Sequence, residues 1–245
     1  SHALLIEGVA SGVFATADAA VMHRGQLMLL SSESQPVGTR LFDLASVTKV
    51  MSTTALTCHF IARGLLNLEQ RVDTVIPDAA AGDRTVADLL THRSGLPAFV
   101  PFFDRVLTEH PELTSAQPLV ELRHHVRDQV SAAVRAVAPV NPVGQAAVYS
   151  DVGFLLLGQM LEKVGGGTLD ALFAEHVARP LQLRHARFLK VSERQNCADT
   201  LVPTQWLRPR EPAPGQEGLW LVRSVDETLQ AVDDDNAFVM NGVAG

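Results

Sequence analysis

At 245 residues, 47% of them hydrophobic, the chain is long enough to bury a substantial core in one large or two coupled domains. Its formal charge of −7 is spread without basic blocks, which argues against nucleic-acid binding, and no apolar run is long enough to span a bilayer. The two cysteines, Cys58 on an apolar helical run and Cys197 in a polar stretch, do not make a disulfide framework. The first residues, Ser1-His-Ala-Leu-Leu, lack the basic flank and long apolar core of a secretory leader. A cytoplasmic protein is expected, or a periplasmic or secreted one if a leader has been removed, and Ser1-His2 has the look of an expression scar.

Residues 17–30 read as a hairpin, with Ala20-Val-Met-His, a turn at Arg24-Gly25, then Gln26-Leu-Met-Leu-Leu. From Val47 the pattern turns helical: Val47, Met51, Thr54, Cys58, Ile61 and Leu65 share one face while Val50, Leu56 and Phe60 fill others, which predicts a helix buried on most sides and closed by Gly64. A second helix starts at Thr85, whose hydroxyl and Asp88 form a capping box, and ends by Gly95-Leu-Pro97. Residues 115–137 read as a longer surface helix charged at Glu121, Arg123, Arg127 and Asp128. An apolar helix over 151–164 runs into Gly165-Gly-Gly167, Thr168 caps another that ends near Pro180, and the prolines of 203–218 mark a loop.

The chemistry concentrates at Ser46-Val-Thr-Lys49. Residues three apart on a helix share a face, so the Lys49 amine can take the Ser46 proton. The motif alone is common, but its setting is informative: the chain uses arginine for all but three of its 20 basic residues (Lys49, Lys163 and Lys190), and here it places a lysine. An arginine cannot release its proton near neutral pH, whereas a desolvated lysine can, which fits a general base. Tyr149, the single tyrosine, follows the loop-like residues 138–145 and opens the apolar helix. By itself it reads as a core aromatic; beside a Ser-x-x-Lys pair, its phenol suits relaying protons between nucleophile and leaving group.

Other schemes fit less well. Gly-x-Ser-x-Gly and His-Glu-x-x-His are absent, and the nine histidines give no ligand spacing, since adjacent His124 and His125 on a helix point apart. His92 reads as a structural hydrogen-bonding residue. Gly165-Gly-Gly167 follows a helix and therefore reads as its terminator, not as a phosphate loop. No metal or cofactor is expected.

These residues together resemble the serine β-lactamase and penicillin-binding-protein-like hydrolases, especially the branch of class C β-lactamases and related esterases. Phe42-Asp-Leu-Ala-Ser-Val-Thr-Lys49 is similar to the family's nucleophile segment, Val86-Ala-Asp-Leu-Leu-Thr-His-Arg-Ser-Gly-Leu-Pro97 to its "LLTHxSGLP" stretch, and Tyr149-Ser-Asp-Val-Gly-Phe-Leu-Leu-Leu-Gly158 to its second catalytic motif. Asp235-Asn-Ala-Phe-Val-Met-Asn-Gly-Val-Ala-Gly245 resembles a later family segment. The resemblance implies an α+β fold of the β-lactamase/transpeptidase type, an antiparallel sheet flanked by helices with a mainly helical domain inserted. Residues 1–45 then supply the N-terminal part of the sheet domain, 46–200 the helical domain with both motifs, and 201–245 a loop-rich segment leading back. Because one hairpin is marginal as a sheet, the closing strands are expected beyond Gly245.

The activity so implied is acyl transfer through a covalent Ser46 ester, with Lys49 as base, its amine kept neutral by desolvation, and Tyr149 as proton relay. The substrate is a small ester, a β-lactam or a D-alanyl peptide. Two departures from the family stand against this. Asp151 replaces the Asn of many members and would hold Lys49 protonated. The third motif, a Lys or His with a small residue and Gly on a late strand that gives an oxyanion donor, has no match. They leave open a catalytically weak member that binds cell-wall peptide or a protein partner. Oligomeric state is not legible.

Overall fold

The computed structural model describes residues 2–33, 37–114, 119–190, 193, 201–202, 234–241 and 243. A helix at His2–Ala10 (α1) precedes the expected hairpin, Asp18–His23 (β1) and Gln26–Ser31 (β2), which pair antiparallel from Asp18↔Ser31 to His23↔Gln26. Arg24 and Gly25 both take positive φ, +50° and +78°, as a two-residue turn matched to the strand twist requires. At the base, the Ala17 N–H donates to Ser32 Oγ at 2.9 Å, and Arg40 bonds Thr16 and pairs with Glu33 and Asp18. These contacts tie the hairpin to Leu41, whose carbonyl accepts the Val202 N–H at 2.9 Å. The strand sides remain open: Met22 is 72% and Leu27 57% exposed.

The rest of the described chain is helical. A π-helical turn at Lys49–Thr54 runs into α2 (Ala55–Ala62), followed by α3 (Val86–Leu90), α4 (Phe102–Glu109), α5 (Val120–Arg135), α6 (Asp151–Gly165) and α7 (Leu169–Phe173), which a second π turn at Ala174–Ala178 extends. A short α8 (Asp235–Val239) packs on α4 and α5. Helix α6 is the axis of the core. Every residue from 152 to 161 is buried, and α3, α5, α7 and the first π turn pack around it. A helix apolar on all sides must be covered on all sides. It stops where Gly166 takes φ +69°, the left-handed geometry a helix end favours glycine for.

Several sequence expectations hold. Thr85 and Asp88 form the capping box, with the Asp88 N–H donating to Thr85 Oγ1 and the Thr85 N–H to Asp88 Oδ2. Gly64 has φ +70° just past α2. Others need correction. The helix begun at Thr85 ends at Leu90, because Thr91 turns out of it and His92 has φ +56°. The buried stripe over the first π turn and α2 is Lys49, Ser52, Thr53, Leu56, Thr57 and Phe60, while Val47 and Val50 are 52% and 68% exposed. The apolar face expected to be buried loses to a mixed one, because the position of α6 decides which side is covered.

Arg123, expected on the surface of α5, is fully buried. It donates to the Leu113 carbonyl at 2.8 Å and lies 5.2 Å over the Phe238 ring, so it packs as a flat stacking group. Burial pulls its guanidinium below the usual arginine range. Thr168 makes no capping bond to α7; the Leu169 N–H goes to Glu162 Oε1 at 2.7 Å. Helices α1, α4 and α8 were not foreseen. The start of the predicted 115–137 helix, most of the 203–218 loop, and Cys197 lie outside the described residues.

Candidate active site

Two helix starts face each other. The first is the turn before the Lys49–Thr54 segment. Asp43 Oδ1 accepts the Ala45 N–H at 2.9 Å, and Ala45 sits at φ +44°, a left-handed conformation that a residue with a Cβ adopts only under strain. Successive bonds from Val47 N–H to Leu44 O, Thr48 N–H to Ala45 O and Lys49 N–H to Ser46 O then close the tight first turn. Ser46 is left exposed at its tip, and no hydrogen bond among the described residues takes its N–H.

The second start is that of α6. Ser150 is its N-cap: its Oγ accepts the Gly153 N–H at 3.1 Å and donates to Pro97 O at 2.7 Å. The Asp151 N–H donates to Ala98 O, and the Ser150 N–H to His92 Nδ1 at 3.0 Å. His92 must therefore present a lone pair at Nδ1. Burial first, and then the charge of Lys49, pull its imidazole below the usual histidine range against the opposing effect of Asp151, which keeps that lone pair free. Gly95, in the same segment, has φ +75° and lies so close to Asn141 O that a Cβ would stand 2.0 Å from it. Glycine is thus required for the 92–98 segment to lie against the 140–141 loop.

Lys49 bridges the two starts. Its Nζ donates to Ser46 Oγ at 3.2 Å, lies 2.7 Å from Asp151 Oδ1, and stands 5.1 Å from the Tyr149 ring centroid and 5.9 Å from that of Phe154. Ser46, Lys49, Tyr149 and Asp151, singled out in the sequence, therefore come together in one cluster, with Tyr149 52% exposed above a buried Lys49. The expectation of an amine kept neutral by desolvation is reversed. Burial does pull Lys49 down, but the hydrogen bond and charge of Asp151, with a smaller share from Tyr149, outweigh it and raise the amine above the usual lysine range.

Sequence reasoning missed one acid of the cluster's surroundings. Asp234 caps α8, accepting the Ala237 N–H at 2.7 Å. Desolvation pushes its carboxyl up, as does the negative charge of Asp151, while Lys49 acts in the opposite sense. Its signal was an Asp before a short helical run, the pattern of an N-cap. His59 and His176 stack at 4.9 Å well away from this cluster, and among the described residues no three His, Cys, Asp or Glu side chains are grouped to hold a metal. Among the described residues, too, no helix is long and apolar enough to cross a membrane.

Comparison with known proteins bears on the family and on the fold. The family described as Beta-lactamase matches residues 2–235. An "N-acetylmuramyl-L-alanine amidase" of Bacillus subtilis is 28% identical over 217 residues, covering 84% of this chain and 45% of the relative. A "Putative D-alanyl-D-alanine carboxypeptidase" of Escherichia coli K12 is 28% identical over 179 residues, covering 69% of this chain and 38% of the relative. The chain thus spans less than half the length of these curated relatives. Among solved structures, the octameric penicillin-binding protein homologue from Pyrococcus abyssi superposes with a TM-score of 0.62 at 19% identity, over 82% of this chain and 46% of that one, a likeness of fold.

Proposed function

Since the chain belongs to the beta-lactamase family, we propose that it is a serine hydrolase that works by acyl transfer through an ester on Ser46. The observation that carries this reading is the position of Lys49 Nζ, 3.2 Å from Ser46 Oγ and 2.7 Å from Asp151. Ser46 Oγ attacks a carbonyl carbon while its proton passes to the neutral form of the Lys49 amine. The oxyanion that forms is met by the Ser46 N–H, which is one donor of the usual two. Lys49 returns the proton through the Tyr149 hydroxyl to the leaving group, whose bond to the carbonyl carbon breaks and leaves acyl-Ser46. Water attacks this ester, gives its proton back along the same path, and frees Ser46 and the acid.

The substrate is an ester, a β-lactam or an amide of the D-alanyl type, all of which present a carbonyl to the same groups. The names of the curated relatives, an amidase and a carboxypeptidase, support the amide. A second reading is supported by the raised Lys49: an amine held charged by Asp151 is a poor base, so the chain could instead bind cell-wall peptide or a protein partner with little turnover. One experiment separates the two. Incubation with a fluorophosphonate and with a penicillin, followed by peptide mass mapping, is expected to add the label to the peptide bearing Ser46 and to lose it in Ser46→Ala. Label on Ser94 or Ser150 overturns the assignment, and no label at any pH leaves the binding reading.

A further inference from the structure

We infer that Asn236, on α8, is a positioning residue for the candidate site: it fixes the 97–103 segment from behind, and that segment fixes the start of α6 and hence Asp151 against Lys49. The inference rests on reading Ser46, Lys49 and Tyr149 as the reacting groups. Asn236 is 3% exposed and uses both ends of its amide on this one segment. Its Nδ2 donates to Val100 O at 2.8 Å, and its Oδ1 accepts the Phe103 N–H at 3.1 Å. On the other side of the same segment, Pro97 O accepts the Ser150 hydroxyl and Ala98 O accepts the Asp151 N–H. Only Phe99 separates the two sets of anchors. The segment is neither helix nor strand between Leu96 and Pro101, so no regular ladder holds its backbone in register. These four bonds, three of them from side chains, take that role.

Asn236 is itself seated from three directions. The Asp234 carboxylate caps α8, Phe238 is buried beneath the Arg123 guanidinium, and α8 packs on α4, whose Phe103 N–H finds its partner there. An amide reaches far enough, with its donor and acceptor on separate atoms, to satisfy a buried carbonyl and a buried N–H at once. Removing it leaves the Phe103 N–H unpaired and Val100 O with the Phe102 N–H alone, and the 97–103 segment gains freedom where it meets Ser150 and Asp151. A path of five residues thus links a site on α8 to the ion pair beneath Ser46. The groups that face Lys49 along it are Asp151, Tyr149, Asp234 and His92, and only Asp151 lies at ion-pair distance among the described residues.

The test is amide hydrogen exchange on the full chain, comparing wild type with Asn236→Ala and with Asn236→Asp, which keeps the oxygen that accepts from Phe103 and loses the donor to Val100. Exchange is expected to quicken at least about tenfold at the Asp151 amide as well as at Phe103, while the α6 interior near Leu157 is unchanged. Faster exchange confined to residues 100–104 overturns the inference. The second readout is the rate of Ser46 labelling against pH. With Asp151 loosened, neutral Lys49 forms at lower pH, so the acid limb is expected to move down, giving up to about tenfold more rapid labelling on that limb for each unit moved. Leu172→Ala, a core change in α7, serves as the control that lowers Tm without moving the limb. A limb unmoved in both Asn236 variants overturns the inference too. If wild type never labels at Ser46, the reading of the site fails, whereas the exchange experiment still decides the role of Asn236.

Discussion

Ser46 and Ser150 stand at two helix starts on opposite sides of Lys49, and their chemistry is opposite. Ser150 is 1% exposed, and its hydroxyl and N–H are all engaged, with Gly153, Pro97 and His92. Ser46 is exposed, its hydroxyl is met by Lys49, and its N–H is free of partners among the described residues. A satisfied serine holds a helix in place; an unsatisfied one next to an amine is available to react. The contrast comes from backbone shape. Ser150 follows an extended segment, the usual N-cap geometry, whereas Ser46 follows a left-handed Ala45 that lifts it out of the cap position.

The harshest test of that contrast is Lys49→Arg. It keeps a positive charge for Asp151 but removes a group able to give up its proton, so Ser46 acylation by a fluorophosphonate should slow by about 10²-fold or more, close to the loss in Lys49→Ala. Near wild-type labelling in Lys49→Arg would make Lys49 an electrostatic support and Ser46 no more special than Ser150.

Asp151→Asn should have the next largest effect, and it sharpens the comparison by changing only the charge at the start of α6. Asp151 raises Lys49 by stabilising its cation, so removing the carboxylate lowers the amine and brings its neutral form to lower pH. The acid limb of the labelling rate should shift down in pH. Stability should move the other way. A raised lysine stabilises the fold at pH values below its unfolded range and loses that contribution as pH climbs through the raised value, so the variant should melt lower than wild type at neutral pH, with the gap closing under strongly alkaline conditions. An unmoved limb together with an unchanged neutral Tm would mean that the 2.7 Å pair is not populated in solution.

Smaller effects are expected at the serine that does not react and at the residue before the one that does. Ser150→Ala removes an N-cap and leaves Pro97 O without its donor, which should cost about 1 to 2 kcal/mol of stability, read by urea unfolding, with labelling still directed to Ser46. A loss of labelling as complete as in Ser46→Ala would mean the roles are reversed. Ala45→Gly places the residue made for positive φ at +44° and should gain about 1 kcal/mol, since the left-handed strain goes. A fall in Tm would show that Ala45 relaxes to another conformation in solution.

Much of this was legible in advance because it is local. The hairpin turn at Arg24-Gly25, the Thr85/Asp88 box and the glycine stops at Gly64 and Gly166 depend on residues within a few positions of one another. The pairing of Ser46 with Lys49 is likewise one helical turn. Helix α4 was not foreseen although Phe103, Val106 and Leu107 show the three-and-four spacing of a covered face, because the stretch between Pro101 and Pro111 is short.

The sequence by itself determined which side chains the candidate site brings together, because Ser46, Lys49, Tyr149 and Asp151 sit in two short motifs whose local geometry is set by helix starts. Only the tertiary structure decided how those side chains are placed against one another. That Asp151 would hold the Lys49 amine charged was readable from its motif; that the two, 102 positions apart, meet at 2.7 Å, and that this contact outweighs burial, follows from the fold. The same holds for Arg123, which composition assigns to the surface and packing takes inside, and for Asn236, whose two bonds cross 133 and 136 positions of chain. A pattern of residues fixes what an element is; which of its faces is covered, and by whom, follows from where α6 and its neighbours come to rest.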